Sequence, residues 1–228
     1  MNHSNLQNLA FAPRKQPRNM VNGKSIKNNV QVDMIVEDTD HNDDIDETEL
    51  GVVARDDGYC FGRQSVEDAI EAIANGEMIV VVDDMNRENE GDFIMAADQC
   101  KNTDMAKIVQ YSSGVVCVAM AESRLQALEL PPMVTNNEDP KGTAFTVSVD
   151  ATKEHGITTG ISATDRARTV QMLANPESTA TDFHRPGHLF PLRAMENGVL
   201  DRNGHTEAAV DFCKLAGRQP CGILCEIV

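Results

Sequence analysis

The densest group of chemically useful side chains lies in residues 83–92, between two apolar runs. These ten residues contain five carboxylates and a single base, Arg87. A hairpin turn needs a Gly and an Asn or Asp rather than five acids, because like charges this close repel unless something positive lies among them. A divalent cation, an arginine or both could occupy that place, and clusters of oxygen ligands suit Mg²⁺ or Mn²⁺. A solvated acidic turn is the alternative.

A second polar stretch runs from His184 to His188. The two histidines have the spacing of helical zinc ligands, but Pro186 and Gly187 between them break a helix, which argues against a zinc site. A loop histidine beside Arg185 instead suits proton transfer next to an anion. The alternative is a histidine with a structural role.

The third polar stretch, residues 202–207, leads directly into a predicted helix. Backbone N–H groups at a helix N-terminus, together with Arg202 and Thr206, are suited to holding a phosphate. Because the stretch has neither a Gly-x-Gly nor a Walker pattern, it favours a small phosphate ester over a nucleotide. An ordinary helix start is the alternative.

Together the three stretches predict a cation site of carboxylates and a histidine beside a phosphate site. That combination suits enolisation of a sugar phosphate, in which a metal polarises a carbonyl, a carboxylate removes an α-proton and a histidine moves protons. The spacing does not select the substrate. Cys117 lies in an apolar run and is interpreted as a core residue unless the site forms around it.

The elements that must position these residues intermingle along residues 60–228. The predicted helices cover 65–76, 103–111, 121–128, 162–174 and 205–216, and the predicted strands cover 78–82, 93–97, 115–120, 145–149, 189–192 and 223–228. The first two strands follow each other through the acidic turn without an intervening helix. This favours a single α/β domain with a mixed sheet over a doubly wound parallel sheet.

The composition excludes several classes of protein. The 228 residues carry a net charge of -16, contain no Trp and are 4% aromatic, so no nucleic-acid partner is expected. No apolar run reaches the roughly 18 residues that a transmembrane helix needs, so no membrane partner is expected. The six cysteines include no C-x-x-C pair and no secretory signal opens the chain, which predicts reduced thiols inside a cell.

Residues 1–58 are predicted to form a disordered tail, because their apolar residues follow neither a helical nor a strand period. The first 32 residues carry five bases and no acid, whereas residues 33–58 carry eleven acids and one base. An acid-free basic start is typical of an organelle transit peptide, although this one is poor in Ser, and a solvated tail is the alternative. We expect a plastid protein, with the cytoplasm as the alternative.

Four motifs, in order along residues 65–228, resemble the 3,4-dihydroxy-2-butanone 4-phosphate synthase family of riboflavin biosynthesis. The motifs are Arg-Glu-Asn-Glu-Gly-Asp at 87–92, Thr-Thr-Gly-Ile-Ser-Ala-Thr-Asp-Arg at 158–166, Arg-Pro-Gly-His-Leu-Phe-Pro-Leu-Arg at 185–193 and Gly-His-Thr-Glu-Ala at 204–208. Several long motifs in the family's order make the resemblance very specific.

The resemblance implies a carbon–carbon lyase with Mg²⁺ or Mn²⁺ as cofactor. It would convert D-ribulose 5-phosphate into L-3,4-dihydroxy-2-butanone 4-phosphate and formate, through enolisation, dehydration and skeletal rearrangement. The implied fold is a mixed-sheet α/β/α sandwich, and the implied assembly is a homodimer with sites near the subunit interface. In some relatives a GTP cyclohydrolase II module follows the synthase, and none is visible in this sequence.

The resemblance also assigns site residues by motif position. Glu88 and His205 are the implied metal ligands and belong to the substrate site as well, a pairing that spacing alone would not reveal. The other implied substrate-binding residues are Arg87, Asp92, Thr143, Arg202, Asn203, Gly204 and Thr206. The implied catalytic residues are Asp83, Glu90, Cys117, His188 and Glu226.

The sequence departs from the family pattern at two places. Met85 and Asn86 stand where the family has two acids, and the family continues for a few tens of residues past Glu226. The synthase region, residues 59–228, is therefore either a fragment or lacks that last layer. An active lyase is the favoured hypothesis. A catalytically silent homologue and a metal-dependent phosphatase or isomerase are the alternatives.

Overall fold

A six-stranded mixed sheet with helices on both faces forms the centre of the fold. The computed structural model of the protein describes residues 9–13, 32–36, 53–54 and 60–227. The helices are α1 (Arg63–Ala74), α2 (Asn102–Tyr111), α3 (Glu122–Ala127), α4 (Ala163–Ala174) and α5 (His205–Leu215). The strands are β1 (Leu9–Pro13), β2 (Val32–Val36), β3 (Val53–Ala54), β4 (Cys60–Phe61), β5 (Ile79–Val82), β6 (Gly91–Ala96), β7 (Cys117–Met120), β8 (Val149–Ala151), β9 (Phe183–Arg193) and β10 (Cys221–Ile227).

The strand order of the central sheet is β5-β6-β10-β7-β9-β8. Within this sheet only β7 and β9 pair in parallel, and the other four pairs of neighbouring strands are antiparallel. Strands β5 and β6 form a hairpin in which Val82 pairs with Gly91, so the acidic residues between them form its loop. The prediction of a mixed sheet is confirmed.

Alternation along the central strands sends side chains into two cores, one on each face of the sheet. On β10, Ile223 packs with the core under α2, α3 and α4, while its neighbour Leu224 packs with the core under α1 and α5. Ile94 and Met95 on β6 divide in the same way, and both are fully buried. The sheet is thus covered on both faces, which is the predicted α/β/α sandwich.

Most predicted elements are present with shifted ends. The hydroxyl of Ser162 accepts a hydrogen bond from the N–H of Asp165 at 3.0 Å, so α4 begins at the predicted cap. Helix α1 instead begins at Arg63, and Ser65 is buried within its first turn.

Two predicted strands differ more. Phe145 makes an isolated bridge to Leu192, and the regular strand β8 begins only at Val149. Strand β9 runs through the Pro-Gly stretch that the sequence placed in a loop. A register shift in its pairing with β8 accommodates that stretch, because residues 185–188 then need no partner in the ladder.

The predicted tail lies outside the described residues except for short strands. β1 pairs with β2 and β3 pairs with β4, both antiparallel. In the described part of the chain, no helix is long and apolar enough to cross a membrane. Five of the six cysteines, at positions 100, 117, 213, 221 and 225, are free and buried.

Candidate active site

The loop of residues 83–90, called the acidic loop below, is organised by the carboxylate of Asp83. Oδ1 of Asp83 accepts the N–H of Glu90 at 2.9 Å, and Oδ2 accepts the N–H of Glu88 at 3.0 Å. Asp83 is buried at the end of β5, so these bonds hold the loop against the sheet. They aim the side chains of Glu88 and Glu90 toward the space above β6 and β10.

Arg87 is the positive group that the sequence requires among these acids. Its guanidinium donates to Oδ2 of Asp83 at 2.7 Å and also donates to the Glu88 carboxylate. Burial lowers the pKa of Arg87, but the hydrogen bond to Asp83 and the charges of Glu88 and Asp83 outweigh it and leave the pKa raised. The loop is therefore ordered around Asp83 and Arg87, while Met85, Asn86, Asn89 and Glu90 remain exposed.

Glu88, Asp83 and His205 form a group that could hold a metal ion. Each offers a ligand atom, and the three atoms lie within 4.8 Å of one another. Nδ1 of His205 lies 3.9 Å from Oε2 of Glu88 and 3.5 Å from Oδ1 of Asp92, so this ring nitrogen is the one near the carboxylates. Among the described residues, Oδ1 of Asp92 is buried and has no hydrogen-bond partner. Since a buried polar atom without a partner is costly, a divalent cation with its bound waters fits this place.

The charge states in this group follow from burial. Burial lowers the pKa of His205 to about 4, which keeps the imidazole neutral and able to bind a metal. Burial, followed by the charges of Glu226, Glu90, Glu88 and Asp83, raises the pKa of Asp92 well above its usual value. Burial and the charge of Glu88 also raise the pKa of Glu90. A cation would relieve this accumulation of negative charge.

Arg202 lies at the opposite side of the site, where α5 begins. Its Nη1 donates to Oε2 of Glu207 at 2.7 Å, and its Nη2 lies 3.4 Å from the hydroxyl of Thr143. Glu207 is fully buried and its other oxygen accepts the N–H of Met195. A Cβ at Gly204 would lie 2.1 Å from Nη1 of Arg202, so a larger residue there would displace this guanidinium from its place beside Glu207.

These elements enclose a cavity of about 430 Å³ including its open mouth. Its polar lining contains ten of the residues predicted for the site, which are Arg87, Glu88, Glu90, Asp92, Cys117, Thr143, Arg202, His205, Thr206 and Glu226. Residues from the acidic loop, β6, β7, β10, the loop before β8 and the start of α5 thus meet in one place. The role of each residue stays a prediction.

The comparison with known proteins decides the family. The sequence profile described as 3,4-dihydroxy-2-butanone 4-phosphate synthase matches residues 67–228. The chain belongs to this family.

Relatives of known name agree. The 3,4-dihydroxy-2-butanone 4-phosphate synthase of Agrobacterium fabrum is 56% identical over 162 residues, which are 71% of this chain and 75% of that protein. The bifunctional riboflavin biosynthesis protein RIBA 1, chloroplastic, of Arabidopsis thaliana is 52% identical over 185 residues, 78% of this chain and 34% of that protein. The chain spans between a third and about two fifths of the longer relatives that it matches.

A solved structure shares the fold. A crystal structure of 3,4-dihydroxy-2-butanone 4-phosphate synthase in complex with two magnesium ions matches with a TM-score of 0.70 and 53% identity. The match covers 72% of this chain and 75% of that one. The magnesium ions of that synthase agree with the candidate cation site formed here by Asp83, Glu88 and His205.

Four of the site residues that the family resemblance implies are not among those that line the cavity. The carboxylate of Asp83 accepts hydrogen bonds within the acidic loop, Gly204 caps α5, and Asn203 is exposed. His188 lies on β9, on the same face as the cavity residue Leu192 by strand alternation. Since β7 separates β9 from β10, the Cα atoms of His188 and Glu226 lie at least about 10 Å apart, at about 5 Å per strand.

Arg185 has a different role from the one that the sequence suggested. Its guanidinium donates to the backbone carbonyls of Phe183, Ala180 and Leu128. It therefore joins the start of β9 to the segment that follows α3. The interpretation of Arg185 as an anion-binding partner of His188 is wrong.

Sequence reasoning missed several residues that shape the candidate site. Phe145, Leu192 and Leu224 form an apolar wall of the cavity, and nothing in their pattern distinguishes them from core residues. Lys141 donates to the carbonyl of Arg87 at 2.6 Å and so joins an exposed loop to the acidic loop. Glu207 could have been found, because it belongs to the Gly-His-Thr-Glu motif.

Cys117 forms part of the cavity wall, but its chemistry is restrained. Burial, and next the charge of Glu226, raise the pKa of its thiol far above the usual value. The thiol therefore stays protonated in this environment. This places Cys117 in the site while arguing against a thiolate nucleophile.

Proposed function

We propose that this chain converts D-ribulose 5-phosphate into L-3,4-dihydroxy-2-butanone 4-phosphate and formate. The observation that carries the proposal is one cavity in which a neutral buried histidine, crowded carboxylates and two arginines meet. Family membership supports the same reaction. The arginines would hold the phosphate ester of the substrate by charge-assisted hydrogen bonds. The carboxylates would remove and return protons during the enolisation.

Glu88 and His205 would hold the divalent cation, with Asp83 as the nearest further carboxylate. Bound there, Mg²⁺ or Mn²⁺ would polarise the carbonyl of the substrate and favour loss of its α-proton. Both oxygens of Asp83 already accept hydrogen bonds from the acidic loop. We therefore assign Asp83 mainly to holding the loop, and Glu88 to the ion.

The phosphate end of the substrate would lie against the start of α5. Arg202 and Thr206 line that side of the cavity, and the first N–H groups of the helix add partial positive charge. Asn203 and Gly204 belong to the same turn. Arg87, Asp92 and Thr143 would contact the sugar portion from the other walls.

Glu90 and Glu226 are the carboxylates best placed to move protons. The raised pKa of Glu90 brings it closer to neutral pH, which suits a group that both accepts and donates. The hydroxyl of Ser113 donates to Oε2 of Glu226 at 3.1 Å and fixes its direction. His188 would serve as the imidazole that moves a proton at the same face of the sheet.

The assembly that we propose is a homodimer in which His188 lies near the subunit interface. The interface is proposed at Val115 and Ile161, two large apolar side chains that are 44% and 51% exposed. Arg166 joins them, since it donates to the carbonyls of Ile161 and Gly114. A second copy of this chain would cover Val115 and Ile161. Light scattering tests the homodimer by comparing the mass of the wild type with that of a Val115→Asp, Ile161→Asp variant.

Compartment and fusion follow the relatives. A plastid location is supported by the acid-free basic start and by plant relatives named chloroplastic, with the cytoplasm as the alternative. A second module, such as GTP cyclohydrolase II, is supported by relatives whose names call them bifunctional. Import of a fluorescent fusion to residues 1–58 into isolated chloroplasts would test the location.

Formate release from D-ribulose 5-phosphate tests the proposed reaction. We expect one formate per substrate with Mg²⁺ and none after EDTA treatment. Inorganic phosphate or a pentose isomer without formate would instead identify a phosphatase or isomerase. A folded protein that binds Mg²⁺ and changes no substrate would be the silent homologue.

A further inference from the structure

A histidine–carboxylate pair lies on the β8–β9 edge of the sheet, outside the cavity. Nδ1 of His188 lies 2.6 Å from Oδ2 of Asp150, and the backbone N–H of His188 donates to Oδ1 of the same carboxylate at 2.9 Å. The Asp150 side chain is 11% exposed and that of His188 is 41% exposed. One nearly buried carboxylate therefore holds both the main chain and the ring of His188.

The register shift between β8 and β9 creates this double contact. Val149 pairs with Leu189, whereas the next residue, Asp150, pairs with His184, so residues 185–188 bulge out of the ladder. Bulges of this kind re-aim side chains next to active sites. Here the N–H of His188 finds its acceptor in the Asp150 side chain rather than in a carbonyl of β8.

Gly160 closes the pair from a third side. Its φ is +88°, and a Cβ there would lie 2.0 Å from Oδ2 of Asp150 and 2.8 Å from Nδ1 of His188. The N–H of Gly160 donates to the Asp165 carboxylate at 3.0 Å, and the hydroxyl of Thr158 donates to it at 2.7 Å. A loop fixed by one aspartate thus packs against the pair and restricts rotation of the ring.

We propose that Asp150 is a positioning residue that keeps His188 in its Nδ1–H tautomer, which leaves the lone pair on Nε2 to accept a proton. A carboxylate oxygen only accepts, so the neutral ring must place its hydrogen on Nδ1. The proposal rests on the proposed function, because His188 moves a proton only in that reaction.

The Asp150→Asn variant tests the proposal. The side-chain amide of the variant would offer one acceptor group, its oxygen, and one donor group, its NH₂. With its oxygen on the N–H of His188, its NH₂ faces Nδ1 and moves the ring hydrogen to Nε2. We expect ¹⁵N NMR of the histidine-labelled full chain, above the titration of the ring, to show Nδ1–H in wild type and Nε2–H in the variant. The kcat of formate release should fall at least ~100-fold, with KM changed less than about 3-fold. The comparable replacement in a serine protease triad costs about 10⁴.

Two controls separate positioning from general damage. His155 and Asp182 form a second pair, 2.9 Å apart, away from the cavity, and Asp182→Asn should leave kcat unchanged. In a His188→Ala background, Asp150→Asn should lower kcat no further, because its effect acts through the ring.

Each outcome is decisive. Wild-type His188 in the Nε2–H form would overturn the proposal even if Asp150→Asn fails to fold. An inverted tautomer with kcat within about 3-fold of wild type would also overturn it, as would a full additional loss in the His188→Ala background. If wild type releases no formate, the proposed function fails, while the NMR measurement still decides the tautomer.

Discussion

The acidic loop and the β8–β9 edge both use a buried aspartate to hold a loop, but they leave their histidines in opposite states. Asp83 fixes the loop above His205, whose Nδ1 lies 3.5 Å from Oδ1 of Asp92, an atom that is buried without a hydrogen-bond partner among the described residues. Asp150 instead pairs directly with His188, and that ring reaches solvent. The acidic loop region therefore keeps a buried polar atom without a partner until a cation binds. In the β8–β9 region the hydrogen bonds are already made, and Nε2 of His188 is left free to accept a proton.

The largest effect should come from removing the candidate metal ligands in and beside the acidic loop. Glu88→Gln or His205→Ala should abolish formate release and lower the affinity for Mn²⁺ at least ~10-fold, since the loss of even an orienting group costs that much at metal sites. Titration followed by electron paramagnetic resonance measures the affinity without turnover. Glu67→Gln, in an exposed pair with Arg63, is the matched control and should change neither quantity. Unchanged Mn²⁺ affinity in both site variants would remove the ion from this place.

A second prediction concerns the buried ion pair that supports the phosphate side. Arg202→Ala should raise KM more than it lowers kcat, because a phosphate contact acts in the ground state as well as in the transition state. It should also cost about 3 kcal/mol of unfolding free energy, because Glu207 then stays buried without a counter-charge.

The double variant Arg202→Ala, Glu207→Gln separates the two effects. Stability should return in urea unfolding while KM stays high. Arg193→Ala, which breaks the exposed pair with Glu122, should move neither quantity. Recovery of KM in the double variant would mean that Arg202 acts only through the fold.

The smallest effect should come from the loop of residues 158–165, which packs against the pair of His188 and Asp150. Burial raises the pKa of Asp165, but hydrogen bonds from Thr158, Gly160 and Ser162 outweigh it and leave the pKa lowered. A lowered pKa contributes stability that is present above the unfolded value and is lost as the pH falls. Asp165→Asn should therefore unfold about 2 kcal/mol more easily at pH 7.

That difference should narrow below about pH 4, because the unfolded chain then binds a proton at this carboxyl that the folded protein, with its lowered pKa, does not yet bind. Urea unfolding of both proteins between pH 7 and pH 3 measures it. A constant difference across this range would show that the charge of Asp165 does not stabilise the loop. Asp104→Asn, which removes the negative charge from one exposed hydrogen bond with the N–H of Lys101, should show a smaller difference throughout.

The two regions also differ in how far the sequence predicts them. The acidic hairpin, the Ser162 cap and the start of α5 depend on neighbouring residues, so local pattern was sufficient. The meeting of Glu88 with His205 depends on α5 and β6 packing together, and only the family motifs implied it. The β8–β9 edge was predicted least well, because Pro186 and Gly187 indicate a loop when read alone. The bulge that retains them in β9 depends on Asp150, which is distant in the chain.

The position of β10 has a consequence for how the protein is made. This strand lies between β6 and β7, yet it is the last strand that the structure describes in the chain. On the ribosome, β5 and β6 can pair early, but their hairpin cannot join β7 and β9 until residues 221–227 emerge. The nascent chain must therefore keep two open sheet edges apart until synthesis reaches β10, and such unpaired edges are where chaperones bind and aggregation begins.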